Sequence, residues 1–105
     1  MSAPTNLIAP TTAGSGFVQL DATEFDKVWI NVTAPLAGVE VVDVFLPTTQ
    51  NGRVVAIDNA TLLPIQLTAS VPSIVLEGGA LYIIRLNATV GSTGVDYSPK
   101  PRQGT

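Results

Sequence analysis

Apolar side chains recur with period two along most of this chain, and no stretch sustains the 3.6-residue period of a helix. The pattern is plainest over residues 78–90. Gly78 and Gly79 set a turn, after which Tyr82, Ile84, Leu86, Ala88 and Val90 fall on one side of a strand and Ile83, Arg85, Asn87 and Thr89 on the other. Both faces are apolar near the start, where Leu81 and Ile83 stand against Tyr82 and Ile84. That predicts a central strand at this end, becoming one-sided toward Thr89. Residues 27–33 alternate as cleanly, with Val28, Ile30 and Val32 inward and Trp29, Asn31 and Thr33 outward. The sole tryptophan therefore belongs to a second layer or an interface.

Shorter runs complete the set. Residues 17–20 make a first strand, followed by a polar loop over 21–26. Residues 39–46 form a strand whose phase slips at Val41 and Val42, where a β-bulge would restore alternation. Asn51-Gly52 closes a hairpin to a returning strand over 53–57. In 62–68 the residues Leu63, Ile65 and Leu67 share a face, and Pro64, which cannot donate to a ladder, puts this strand at a sheet edge. Residues 73–76 lead through the glycine turn into the long strand. About seven short strands with Gly, Pro and Asn turns predict an all-β fold, a single antiparallel β-sandwich or small β-barrel over residues 17–90.

The two ends read differently. Residues 1–16 are uncharged and rich in Pro, Thr and Gly, which predicts an extended N-terminal arm that reaches ~50 Å at roughly 3.3 Å per residue. Leu7 and Ile8 are its apolar patch, suited to docking in a groove. Residues 91–105 predict an extended C-terminal tail, with Tyr97 as an anchor and Lys100 and Arg102 as a stiff basic tip for an acidic surface. A frayed terminus is the plainer reading of each.

Composition narrows the function. The 105 residues suffice for one domain with a core, 46% are apolar and only 12% charged, which suits a surface covered largely by neighbours. A net charge of -3 argues against a nucleic-acid binder, and no apolar run approaches the ~20 residues of a membrane helix. The chain has no cysteine and no histidine, which removes disulfides, thiol nucleophiles, zinc-thiolate sites and the commonest general base. No signal peptide is read at the amino terminus, and a cysteine-free chain fits the reducing cytoplasm or a particle assembled there.

Few groupings carry chemistry. Asn31/Thr33, Asn59/Thr61 and Asn87/Thr89 are three glycosylation sequons, read here chiefly as outward strand or turn positions. Asp21, Glu24 and Asp26 lie close together but match no calcium loop, and a polar loop with a capping role is the expectation. Glu40 and Asp43 offer no paired-carboxylate geometry, and the serines lack a base. The expectation is a non-enzymatic protein with no catalytic residues, metal or cofactor.

In layout, from the uncharged stretch through Gly16 to the cysteine- and histidine-free β core and the extended end from Gly91, the chain resembles the small capsid decoration (cement) proteins of tailed bacteriophages. The resemblance implies a homo-oligomeric, often trimeric β subunit on the outer surface of the virion, bridging neighbouring major capsid protein subunits and bracing the shell. Leu7, Ile8, Trp29, Tyr97, Lys100 and Arg102 are the candidate partner-binding residues. The alternative is a carbohydrate- or surface-binding β module of a tail fibre or adhesin, with Trp29, Tyr82 and Tyr97 as its platform. Aromatic residues at 6% make that platform thin.

Overall fold

Each alternating run has one apolar face to bury, and the strands of two sheets bury theirs in one shared core. The computed structural model describes residues 4–87 and 90–101. Those residues hold no helix and nine strands: β1 (Thr5–Thr11), β2 (Val18–Asp21), β3 (Phe25–Val32), β4 (Val41–Pro47), β5 (Arg53–Val55), β6 (Gln66–Leu67), β7 (Ser73–Glu77), β8 (Leu81–Asn87) and β9 (Thr93–Pro101). All pairing between strands is antiparallel. One sheet runs β1-β9-β3-β7, and the other β2-β8-β4-β5 with β6 beside β4. The facing follows the sequence pattern: Val28 and Ile30 of β3, Val42 and Val44 of β4, and Ile84 and Leu86 of β8 are fully buried in one shared core.

The expected arms are corrected at both ends. Residues 5–11 are β1, and residues 93–101 are β9, which lies between β1 and β3 inside its sheet. Val95 and Tyr97 stand two residues apart, the spacing of one strand face. Val95 is fully buried, Ile8 nearly so, and Leu7 and Tyr97 pack partly buried against the same core. Boundaries at residues 16 and 91 would therefore cut through the β1-β9-β3-β7 sheet. Side chains lock the arrangement. Buried Thr93 donates its hydroxyl to Ala34 O (2.9 Å) and accepts the Ala34 N–H (3.2 Å), while Thr33 Oγ1 accepts the Gly94 N–H (2.9 Å).

Two smaller expectations also change. No bulge interrupts β4 in its pairing with β8. Val39 lies in the turn before β4 and is 91% exposed, so the break in phase marks the strand's start. Of residues 62–68 only Gln66–Leu67 is a strand, and Pro64 makes an isolated bridge to Ile57. The glycine turn does what its composition suggests. Gly78 and Gly79 donate to Asp26 O and Ala22 O at 2.9 and 2.8 Å, tying the β7–β8 turn to the start of β3 and to the loop before it. A Cβ at Gly78 would stand 1.8 Å from Phe25 O, so only glycine lets the two backbones meet.

Candidate interaction surfaces

The expected partner-binding residues do not come together. Leu7, Ile8 and Tyr97 serve the core. Trp29 does face outward, half-buried on the β1-β9-β3-β7 sheet, with Val75 and Ser98 as its cross-strand neighbours. Lys100 sits within β9, its Nζ 3.6 Å from Asp26 Oδ2 in an exposed pair. Arg102 lies outside the described residues, as does Thr89 of the third sequon. In the first sequon, Asn31 Nδ2 donates to Val32 O (3.2 Å) and Thr33 is engaged by Gly94.

The acidic loop closes on itself. Asp21 Oδ1 accepts the Thr23 hydroxyl at 2.6 Å and the Thr23 N–H at 3.0 Å. Those two donors hold its carboxyl below the usual carboxylate range. Asp43, the second carboxylate of the pair considered above, accepts from Gln66 Nε2 at 2.8 Å. Glu40 is buried and caps backbone N–H groups of Ala37 and Val90.

A different cluster stands on the outer face of the β2-β8-β4-β5 sheet. Since Val44 and Ile84 point into the core, Phe45 and its cross-strand partners Ile83 and Val55 point away from it. Phe17, just before β2, meets Phe45 edge-on with ring centroids 5.7 Å apart. The Arg53 guanidinium lies 3.5 Å from the Phe17 ring centroid and that of Arg85 5.2 Å from it. Each cation–π contact of this exposed kind contributes about 0.5–1 kcal/mol. Among the described residues no carboxylate lies within ion-pair distance of either guanidinium. Two of the chain's five cationic side chains thus meet one exposed aromatic ring, on a protein whose net charge is negative. The signal available beforehand was the outward phase of Phe45, Ile83 and Arg85. What it lacked was the strand order that places Phe17 and Arg53 beside them.

A second surface borders the free edge of β7. A cleft of about 510 Å³ opens between the β7–β8 turn and residues 56–60, with Leu46, Ile57, Leu76 and Tyr82 in its wall. A smaller one of about 240 Å³ adjoins it, lined by Leu63, Val71 and Val75. Ile57, Leu63, Val71 and Val75 are all exposed, and Leu62 beside them holds a left-handed φ of 59° with its side chain in solvent. No known family, curated protein or solved structure matches this chain.

Proposed function

We propose that this protein is a non-enzymatic β-sandwich subunit that decorates and stabilises a phage capsid from its outer surface, joining neighbouring major capsid subunits. The supporting observation is the outer face of the β2-β8-β4-β5 sheet. Phe17, Phe45, Val55 and Ile83 form an apolar centre flanked by Arg53 and Arg85, and among the described residues no carboxylate is within ion-pair distance of either, although Asp43 is the cross-strand neighbour of Arg85. Aromatic and arginine side chains at the centre of a patch are the composition of protein–protein hot spots. Unpaired guanidiniums favour a partner surface that presents carboxylates. A surface with so little charge elsewhere loses little solvation when neighbours cover it. Attachment in this reading runs through a sheet face, since the segments expected to act as arms have structural work in β1 and β9. Repetition over a symmetric shell then multiplies a modest single contact.

The test starts with particles of the virus that encodes the chain. Quantitative mass spectrometry of purified capsids is expected to find the protein in fixed stoichiometry with the major capsid protein. Undecorated shells are then mixed with the parent, with Phe17→Ala and with Arg53→Glu, and co-sedimented. Both variants are expected to keep the parent's unfolding free energy to within ~1–2 kcal/mol, the size of the surface contacts removed. Both are expected to lose most of their attachment. Absence from the particles, or attachment of both variants at the parent's level, overturns the reading.

A further inference from the structure

β7 ends the β1-β9-β3-β7 sheet, with β3 on one side and no strand on the other. Val32 N–H donates to Pro72 O at one end of β7, and Gly78 N–H donates to Asp26 O at the other, at 3.1 and 2.9 Å. Between these brackets the antiparallel ladder alternates, so Ile74 and Leu76 bond to β3. Ser73, Val75 and Glu77 turn their backbone groups to the open side. Among the described residues, only Glu77 O of these has a partner across that side, the Tyr82 hydroxyl at 2.8 Å, and a carbonyl oxygen has a second lone pair.

Unpaired edges are usually blunted. β1 is broken by two register shifts and contains Pro10, and β5 is three residues long with Arg53 at its start. β7 pairs with β3 in unbroken register over its five residues, with no proline or cation among them. β2, the fourth edge, also keeps its register with β8 but over only four residues. β7 is therefore the longest regular edge among the described residues, and the exposed apolar residues Ile57, Leu63 and Val71 lie alongside it.

We propose that β7 is the self-association surface of this protein, and that it pairs antiparallel with β7 of a second copy about a two-fold axis through Val75. This goes beyond attachment to a shell and uses a different surface. The register makes the case. With Val75 opposite its counterpart, Glu77 meets Ser73 of the second copy at both ends, so no like charges face each other. The outer face then carries three rows across the junction. The middle row is apolar, Trp29 and Val75 meeting Val75 and Trp29 of the second copy. Each outer row is polar and neutral, with the Lys27–Glu77 pair (3.8 Å) running on to Ser73 and Asn31. A polar-apolar-polar pattern that reads the same in both directions is what a two-fold interface requires. The outward groups of Val75 form the central hydrogen-bonded pair, and the two four-stranded sheets become one of eight strands. The resemblance implied a trimer. An isologous edge gives a dimer, or a larger assembly built from dimers.

Sedimentation equilibrium of the full chain over a range of concentration tests this, alongside amide exchange read by NMR. The parent is expected at twice the chain mass, with the Val75 amide gaining protection as concentration rises. Val75→Lys sets two ammonium groups opposite each other on the axis and is expected at the chain mass. Val75→Thr keeps a β-branched neutral residue there and is expected to remain dimeric. Because the chain has no cysteine, Val75→Cys reports position directly. With Cα atoms ~5.5 Å apart in such a pair, a short bis-maleimide is expected to link it to a second copy. The same reagent is not expected to link Asn6→Cys on β1. A parent at the chain mass throughout, or an oligomer unchanged by Val75→Lys, overturns the proposal. So does capture of an unrelated extended peptide by β7 in place of a second copy. None of these outcomes touches the Phe17 and Arg53 test of attachment.

Discussion

Glu40 and Tyr82 are the polar side chains whose surroundings depart furthest from what their neighbours in sequence suggest. Glu40 is 2% exposed, accepts the Ala37 N–H at 2.7 Å and also holds the Val90 N–H. It staples the connection between β3 and β4 to the segment after β8. Glu40→Ala strands two backbone donors and should cost ~1–3 kcal/mol in urea titration. Glu40→Gln, whose single carbonyl can serve one donor well, should cost less. Tyr82 lies in the wall of the larger cleft with its hydroxyl on Glu77 O. Burial, with the nearby Glu77 carboxylate adding to it, pushes its phenol above the ordinary value of 10.0. The folded chain therefore holds this proton more tightly than the unfolded chain does. Its contribution to stability is fully present below pH ~10 and is lost as pH rises through the higher folded value. Comparing Tyr82→Phe with the parent isolates this group from the rest of the chain. The stability difference between them should hold constant below pH ~10 and shrink above it. A difference that grows with alkalinity would reverse the assigned direction.

At the scale of the element, β8 shows both what alternation reveals and where it stops. Ile84 and Leu86 are fully buried in the shared core, as their phase predicts, and either change to Ala should cost ~2–5 kcal/mol. Ile83 is 9% exposed but lies on the other face, covered by the Phe45 side of the patch and outside the shared core. Ile83→Ala should cost distinctly less, and equal losses at 83 and 84 in denaturant titration would contradict the facing. Gly94 matters for a different reason. A Cβ there would stand 2.2 Å from Ile8 O, so Gly94→Ala should push β1 off β9 and expose its amides to hydrogen exchange while those of β4 and β8 stay protected. The seven strands legible in the sequence are those with strict alternation or a strong turn beside them. β1 was not, because Leu7 and Ile8 are adjacent in sequence and both meet the core, which breaks alternation and goes with the register shifts on either side of Ile8. β9 was not, because Gly, Ser and Pro dilute its apolar residues. The Phe17, Phe45, Arg53 and Arg85 cluster was illegible for a related reason: each side chain comes from a different strand or its flank, and only the β2-β8-β4-β5 order unites them.

For the molecule as a whole, the decisive feature is that the first and last strands pair with each other. Thr5 faces Tyr97 and Thr11 faces Thr93, so the β1-β9-β3-β7 sheet is complete only when both ends of the chain are present. Such non-local closure places folding in the slow range for small domains, ms to s. It also separates an arm from a strand by experiment. Free arms could be cut away with the unfolding midpoint unchanged. With the ends built in, deleting residues 93–105 removes the partner of both β1 and β3 together with Val95, Thr93 and Tyr97. No cooperative unfolding transition is expected to remain. Deleting residues 2–11 is milder, since β9 keeps β3 and only one edge strand is lost. The core is expected to survive with stability lowered by at least the ~2–5 kcal/mol that emptying the Ile8 site alone would cost. β9 then becomes an unpaired edge, so a synthetic peptide of residues 1–13 should bind it by strand addition and raise the midpoint with peptide concentration. The same peptide with Ile8→Asp should not, because it would carry an unpaired charge into the core. If both truncations melt with the full-length chain and the peptide has no effect, β1 and β9 contribute nothing to the fold, and the ends are free after all.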